Sequence, residues 1–240
     1  MKSKLFFVIV WAFLIVSFTL AGATLIISAS GYKVDWQNFA IQKAGLIYFS
    51  VSPSEAIIYL DGKSVQPDRR GCIKYLLPGR YDLEIKKTNY IAWNKTIIVE
   101  GGLVSSAGKV QLFLENPEII NVSEKEKAQF AELVPDKNLT VANGTEIRDA
   151  NTGELVSRFS YSIKNPRLFP DKNRIGFMAE DGIHAIDAVG SNNNLIIKSD
   201  ALIDDYYFLS GGQYIVYKIR EQFFKARVFW YHFLQPKIIP

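Results

Sequence analysis

Cysteine occurs once in these 240 residues, at Cys72, so no disulfide can form within the chain. That excludes a disulfide-stapled secreted module, which carries several cysteines. Histidine occurs twice, at His184 and His232. A zinc centre needs three or four protein ligands, and neither a cysteine nor an acidic side chain stands at ligand spacing from His184, so no metal site is expected. Charge of one sign is also missing. Lys and Arg number 28 against 24 Asp and Glu, a net +4 spread along the chain, without the basic face that nucleic acid requires. There is no Gly-x-Ser-x-Gly elbow and no phosphate loop. Gly211-Gly212 reads as a hairpin turn, because no helix start follows it. The acidic pairs Glu180-Asp181 and Asp204-Asp205 are of a kind that serves glycosidases and calcium sites. Neither sits in the loop pattern such sites need, and both read as solvated turn acids. Catalytic, cofactor-binding and metal residues are therefore read as none, and the chain as no enzyme. The sequons at Asn94, Asn121, Asn138 and Asn143 are read as chance.

One long apolar run is present. Leu5 to Ile27 holds no charge. At about 1.5 Å per residue a helix of that length crosses a hydrocarbon core of about 30 Å. Lys2 and Lys4 precede it, which keeps the N-terminus cytoplasmic and the bulk of the chain extracytoplasmic. Tyr32 and Trp36 fall where an interfacial aromatic belt belongs. The rival reading is a cleavable signal peptide with Ser28-Ala29-Ser30 at the cut, but the run exceeds an ordinary signal core. No cysteine follows, which excludes a lipoprotein. Residues 1–30 are thus a cytoplasmic stub and transmembrane anchor with its helix over 5–27, and 31–44 a juxtamembrane connector.

Between Gly45 and Glu115 the pattern is β. Ile47-Phe49-Val51 alternates with Tyr48-Ser50-Ser52, the period of a half-buried strand, and Pro53 ends it. Ala56 to Leu60 is a second run, closed by the tight turn Asp61-Gly62. Pro78-Gly79 is a further turn, and Tyr81-Leu83-Ile85 alternates with polar neighbours. Thr96–Val99 and Val110–Leu114 supply a fourth and fifth run. Short strands at this spacing predict a β-sandwich.

The stretch resembles the PEGA domain family. The matching residues are Pro53 and Ala56, Tyr59-Leu60-Asp61-Gly62-Lys63, Leu77-Pro78-Gly79, Tyr81, Asn89-Tyr90 and Trp93. Pro53-Ser54-Glu55-Ala56 stands where the family shows a glycine before the alanine. Gly31-Tyr32-Lys33-Val34-Asp35 is similar to the Gly-Tyr-x-x-Asp segment that follows the anchor in bacterial members. The resemblance implies a transthyretin-like sandwich over 45–115, a place in the bacterial envelope, and a binding or structural role without catalytic residues.

Residues 116–135 form a helical linker. Ser123 is placed to cap a helix reaching Val134, Glu126 completes a capping box, and Pro135 stops it. Ala128, Phe130, Ala131 and Val134 would share its apolar side. Residues 136–240 repeat. Pro135-Asp136-Lys137-Asn138 returns as Pro170-Asp171-Lys172-Asn173, each followed by strand, turn and strand, with a weaker copy from Ser210. This is similar to the Pro-Asp repeats of bacterial β-propellers. About two and a half blades are present where a closed propeller needs four, so a longer chain, an oligomer or a smaller assembly of sheets would complete it. The aromatic tail over Phe223–Phe233 reads as strand pairing or as a membrane contact.

The fold class expected is therefore all-β: an N-terminal transmembrane helix, a PEGA-type β-sandwich, then partial propeller-like repeats. The function expected is a membrane-anchored extracytoplasmic binding or structural module of the envelope. Its partners would be the membrane, through Leu5 to Ile27, and cell-wall polymer or an envelope protein, with Tyr90 and Trp93 as candidate ligand-stacking rings. The alternatives are a protein-interaction scaffold using the propeller-like half and a sensor ectodomain.

Overall fold

The computed structural model describes residues 2–36 and 38–230, and most of them lie in or between β-strands. The chain divides into two compact units. Met1–Phe49, Val65–Tyr81 and Thr96–Gly108 form the first; Ser50–Ser64, Asp82–Lys95 and Lys109–Pro240 form the second.

The first unit opens with α1 (Lys2–Ala29). The hydroxyls of Ser17, Thr19 and Thr24 bond back to carbonyls of the same helix, as Thr19 Oγ1 does to Ile15 at 2.9 Å, which hides their polarity. Twelve large apolar side chains between Phe6 and Ile26 are exposed. Among the described residues no helix is long and apolar enough to cross a membrane. The connector that follows is an antiparallel hairpin of β1 (Tyr32–Asp35) and β2 (Ala40–Lys43). The buried Asp35 carboxylate organises its turn, accepting from Asn38 N at 3.2 Å, Asn38 Nδ2 at 2.8 Å and Gln42 Nε2 at 3.2 Å.

Seven strands come next in the chain, divided between the two units: β3 (Gly45–Ser52), β4 (Ile57–Leu60), β5 (Lys63–Val65), β6 (Cys72–Leu76), β7 (Gly79–Lys86), β8 (Trp93–Val99) and β9 (Val104–Gln111). They make two sheets, ordered β6-β3-β9 and β5-β4-β7-β8. The expected alternation is present, with Ile47, Phe49, Leu83, Ile85, Ile97 and Val99 buried. Asp61 and Gly62 both take positive φ, 50° and 73°, as a two-residue hairpin turn matched to the strand twist demands. The Asp61 carboxylate adds a bond from Asp82 N at 2.9 Å. The fifth run is displaced: the strand is Val104–Gln111, and Leu112 and Leu114 donate their N–H groups to Ser52 and Val228 at 2.9 and 2.7 Å. Between β5 and β6 the Asp68 carboxylate takes Lys74 Nζ at 2.6 Å and the amides of Cys72 and Arg70. Lys74 above all, with Cys72 next, holds its pKa down at about 2.

Besides its share of those strands, the second unit holds β10 (Glu118–Ile120) and α2 (Glu124–Phe130). The capping box forms as the spacing predicts: Ser123 N donates to Glu126 Oε2 at 2.8 Å, and Ser123 Oγ accepts from Glu126 N at 3.4 Å. The far end differs, because the helix stops at Phe130. Ala128, Ala131 and Val134 are exposed, and Phe130 alone docks, with ring centroids 5.8 Å from Tyr207 and 5.3 Å from Phe223. Partial burial works against ionisation of Glu126. Lys225, at 2.7 Å, and Ser123 outweigh it, so its pKa falls below the usual carboxylate value.

The repeats fold as β11 (Leu139–Ala142), β12 (Glu146–Asp149), β13 (Leu155–Arg158), β14 (Lys164–Leu168), β15 (Arg174–Ala179), β16 (Gly182–Asp187), β17 (Asn194–Lys198), β18 (Asp205–Leu209), β19 (Tyr214–Ile219) and β20 (Gln222–Arg227). Three antiparallel sheets result: β11-β12-β13, β14-β15-β16-β17 and β10-β20-β19-β18. The Pro-Asp motif has a physical role in both copies. Asp136 and Asp171 each accept the amide two residues on, from Asn138 at 2.9 Å and Asn173 at 3.1 Å, closing the turn that launches the next strand. Their second oxygens diverge. Asp136 Oδ2 accepts from Leu168 N at 2.7 Å, and Asp171 Oδ2 pairs with Arg174. Ser210-Gly211-Gly212-Gln213 occupies the third turn without a carboxylate, using positive φ at its first three residues.

Sequence alignment of the repeats sets β11–β13 against β15–β17. By that alignment β14 and β18 are additional edge strands, and α2 precedes the first repeat where such a strand would lie. The third sheet gains its fourth strand from outside the repeats. β10 pairs with β20 in the register Glu118↔Arg227, Ile119↔Ala226, Ile120↔Lys225. The third sheet is thus completed within one chain.

Two apolar clusters fill this unit. One joins Phe113, Phe169, Ile183, Tyr206, Ile215, Val228 and Phe229; the other joins Ile147, Ile163, Ile175, Phe177 and Ile186. Arg174, only 4% exposed, enters the first cluster. Its guanidinium lies 5.2, 4.7 and 5.1 Å from the ring centroids of Phe113, Phe169 and Phe229. Nη2 pairs with Asp171, while Nε and Nη1 have no hydrogen-bond partner among the described residues.

Candidate functional site

The residues with most chemistry gather at one end of the second sheet of repeats. β15 and β16 are joined by the turn Glu180-Asp181, and Gly182 opens β16. Gly182 has φ +142°, and a Cβ there would lie 1.9 Å from the Ile197 carbonyl oxygen, so only glycine lets this turn lie under β17. The tight turn swings Asp181 back alongside β16, where its Oδ1 is 2.8 Å from His184 Nε2. The other imidazole nitrogen, Nδ1, lies 3.0 Å from Asn193 Oδ1, and Asn193 Nδ2 donates to the Tyr161 hydroxyl at 2.6 Å. His184 faces Phe177 across the ladder and stacks on it, centroids 5.3 Å apart at 17°. A continuous chain Asp181–His184–Asn193–Tyr161 results.

In front of this chain opens a cleft of about 460 Å³, lined by Tyr161, Ala179, Glu180, Asp181, Lys198, Ser199 and Asp200. It presents three carboxylates, an ammonium and a phenol. His184 is only 6% exposed, and both its nitrogens are engaged. A general base needs a lone pair within reach of the proton it removes, and here both ring nitrogens are turned to oxygen acceptors of the protein, Asp181 Oδ1 and Asn193 Oδ1. Glu180, Asp181, Lys198 and Asp200 are exposed, so the cleft offers solvated charges and hydrogen-bonding groups of the kind a ligand rich in hydroxyl or amino groups can meet.

A second cavity, of about 400 Å³, lies where β11 and β14 meet, with Asp136, Asn165, Arg167 and Asp205 in its wall. Arg167 fastens it. Nη2 reaches both oxygens of Asp205 at 3.2 and 3.1 Å, Nη1 donates to Val134 O at 2.8 Å, and the guanidinium stands 5.7 Å from the Tyr206 ring centroid. Tyr206 is fully buried, and that desolvation raises its pKa well above the ordinary value. The charges here are spent on one another, which makes this cluster a brace.

Each candidate from the sequence has a definite place. Trp93 is 5% exposed and sits among the core residues, so it has no ring face free for a sugar. Tyr90 is half-buried, with Lys87 Nζ 5.8 Å from its ring centroid, and desolvation raises its pKa. Asp181 does find His184, and Asp205 finds Arg167. His232 and the tail beyond Trp230 lie outside the described residues, while Phe223 and Phe224 take their expected place in a paired strand. The relay through Asn193 and Tyr161 carries no sequence signal of its own, since its members are nine and thirty-two residues apart. Among the described residues no group of three or more metal-binding side chains converges. The chain matches no known protein-family model, and no curated protein matches it in sequence.

Proposed function

We propose that this chain is a membrane-anchored, extracytoplasmic binding and scaffolding module of a bacterial envelope, without catalysis of its own. The observation that carries the reading is α1. It is 28 residues long, charge-free from Leu5 to Ile27, preceded by Lys2 and Lys4, and exposes its described apolar side chains instead of packing them. Exposure of that much apolar surface costs about 25 cal/mol per Å² in water, and a bilayer removes the cost. The PEGA-like stretch is supported by the strand alternation and the Asp61-Gly62 turn. The propeller-like reading of the repeats is supported by three successive antiparallel sheets and by the shared Pro-Asp turns. The cleft beside Tyr161 favours the repeats as the binding end, with wall polymer or an envelope protein as ligand.

Cys72 is the natural reporter of topology, because it is the sole cysteine and is half-buried. In cells making the full chain, a membrane-impermeant maleimide should label Cys72 before lysis, and the protein should stay with membranes after a carbonate wash. Labelling that needs lysis, or release by carbonate, refutes the reading. Co-sedimentation with purified sacculi, lost in Tyr161→Ala, would place the polymer in the cleft; retention by that variant moves it elsewhere.

A further inference from the structure

The β1–β2 hairpin has two unlike faces. Residues directly opposite across an antiparallel pair share a face. The register Tyr32↔Lys43 and Val34↔Ile41 puts those four on one side, and Lys33↔Gln42 and Asp35↔Ala40 on the other. The second side is tied down: Lys33 Nζ donates to Tyr75 O at 3.1 Å, and Gln42 bonds the buried Asp35. The first side is open. Tyr32 and Ile41 are exposed, and at the turn Trp36 is 76% and Phe39 88% exposed. Phe39 holds φ +49°, the left-handed region that β-turns reserve for small or polar residues, and so presents a bare ring at the tip. Asp35 is the only acid between Gly31 and Leu46, and it is buried. The charges this segment exposes are Lys33 and Lys43.

We propose that this face is a second membrane contact: Tyr32, Trp36, Phe39 and Ile41 lie in the headgroup–acyl boundary, and Lys43, on the same face, meets anionic headgroups. The inference rests on α1 being an anchor, since α1 ends at Ala29 and the hairpin begins at Tyr32. That leaves two residues between helix and hairpin, too short a tether to carry the hairpin far from the surface. Amphipathic aromatics are the residues that interfaces collect, and a lysine on that face, in a segment without exposed carboxylates, matches a negative surface. A lone exposed aromatic needs no explanation, but two rings at one turn, backed by Tyr32 and Ile41 on one face, form a contiguous patch. The occupant is the bilayer. The anchor would hold the hairpin at this surface permanently, and the contact would fix how the rest of the first unit leaves it.

The test uses the full chain in vesicles of phosphatidylcholine and phosphatidylglycerol. In a Cys72→Ser background, Phe39→Cys, Trp11→Cys and Val189→Cys each carry an environment-sensitive fluorophore, and lipids spin-labelled at shallow or deep positions quench it. All three sites are exposed, so labelling leaves the fold intact. The Phe39 probe should emit to the blue of the Val189 probe and be quenched best by shallow labels, and the Trp11 probe by deep ones. A Phe39 probe that matches Val189 while Trp11 is quenched overturns the hairpin contact and leaves the anchor standing. Loss of quenching at Trp11 overturns the anchor, and the inference with it.

Discussion

Replacing Asp171 by Asn should unsettle the repeats more than any change to the exposed ion pairs. Arg174 is buried among three phenylalanine rings with one carboxylate as its counter-charge. In the variant the Asn can still accept from the Asn173 amide and keep the turn, so what is lost is charge. Removing one member of a buried ion pair costs about 3–5 kcal/mol, because the partner stays buried and uncompensated. Cation–π attraction, about 2 kcal/mol for a desolvated ring, survives in the variant and cannot make up the difference. The loss is a large share of a typical stability of about 5–15 kcal/mol, and should lower the melting temperature by roughly 6–20 °C. Arg174→Met removes the buried charge and keeps a flexible apolar chain against the rings. It should cost less than Asp171→Asn, because the carboxylate left behind is the more exposed partner and keeps the Asn173 amide, and Asp171→Asn added to it should cost little more. Thermal unfolding of the full chain in detergent, with hydrogen exchange at β15 and β16 to localise the loss, measures all three. If Arg174→Met is as harmful as Asp171→Asn, the rings' hold on the cation is what stabilises the turn, and the reasoning fails.

Three further outcomes are expected. Glu146 sits between Arg148 and Arg158 at 2.8 and 2.7 Å, and Arg148 foremost lowers its pKa despite burial. Its stabilisation is therefore present above the unfolded glutamate's pKa and lost as the pH falls through the folded one, and Glu146→Gln should flatten the acid limb of the stability curve. Burial raises the pKa of Tyr207 to about 12. Its contribution is intact below the unfolded tyrosine's pKa of about 10 and declines as the pH climbs to the folded value; an ultraviolet titration should show one fewer late-ionising tyrosine in Tyr207→Phe. Gly182→Ala should cost roughly 1–3 kcal/mol in backbone strain alone, with the clash at Ile197 O added, and should weaken protection of the His184 ring in nuclear magnetic resonance exchange. An unchanged melting temperature would contradict the geometry at the turn.

Much of the β framework was legible because side-chain alternation has a period of two, and Ile47-Phe49, Leu83-Ile85 and Ile97-Val99 display it. Turn chemistry was equally readable at Asp61-Gly62 and at both Pro-Asp motifs, where a short carboxylate reaches its own backbone. What failed did so for identifiable reasons. The strand Val104–Gln111 is rich in Ser, Gly and Lys, so the eye settles on the greasier Val110–Leu114 beside it. The helix at Ser123 advertises its start through a capping box, but its end rests on packing by Phe130. β10, at Glu118–Ile120, looks like linker because three residues have no period. In the candidate site, Asp181 stands three residues from His184, a spacing that strand alternation places on opposite faces. Only the turn through Gly182 reunites them. Arg167 and Asp205 lie thirty-eight residues apart, and the fold alone brings them together.

The borrowed strand of the third sheet also sets an order in time. Arg227 meets Glu118 across 109 residues, and closing a loop of that length costs about 4 kcal/mol in chain entropy. Synthesis at about 5–20 residues per second makes β10 wait roughly 5–20 s for its partner. During that interval its amides and carbonyls face whatever is nearby, and the unpaired edge is a template for foreign strands. Non-local pairing of this kind is the slow part of folding, so β10–β20 should be the last ladder to close. A pause in synthesis before Arg227 emerges would leave the third sheet without its β10 edge strand.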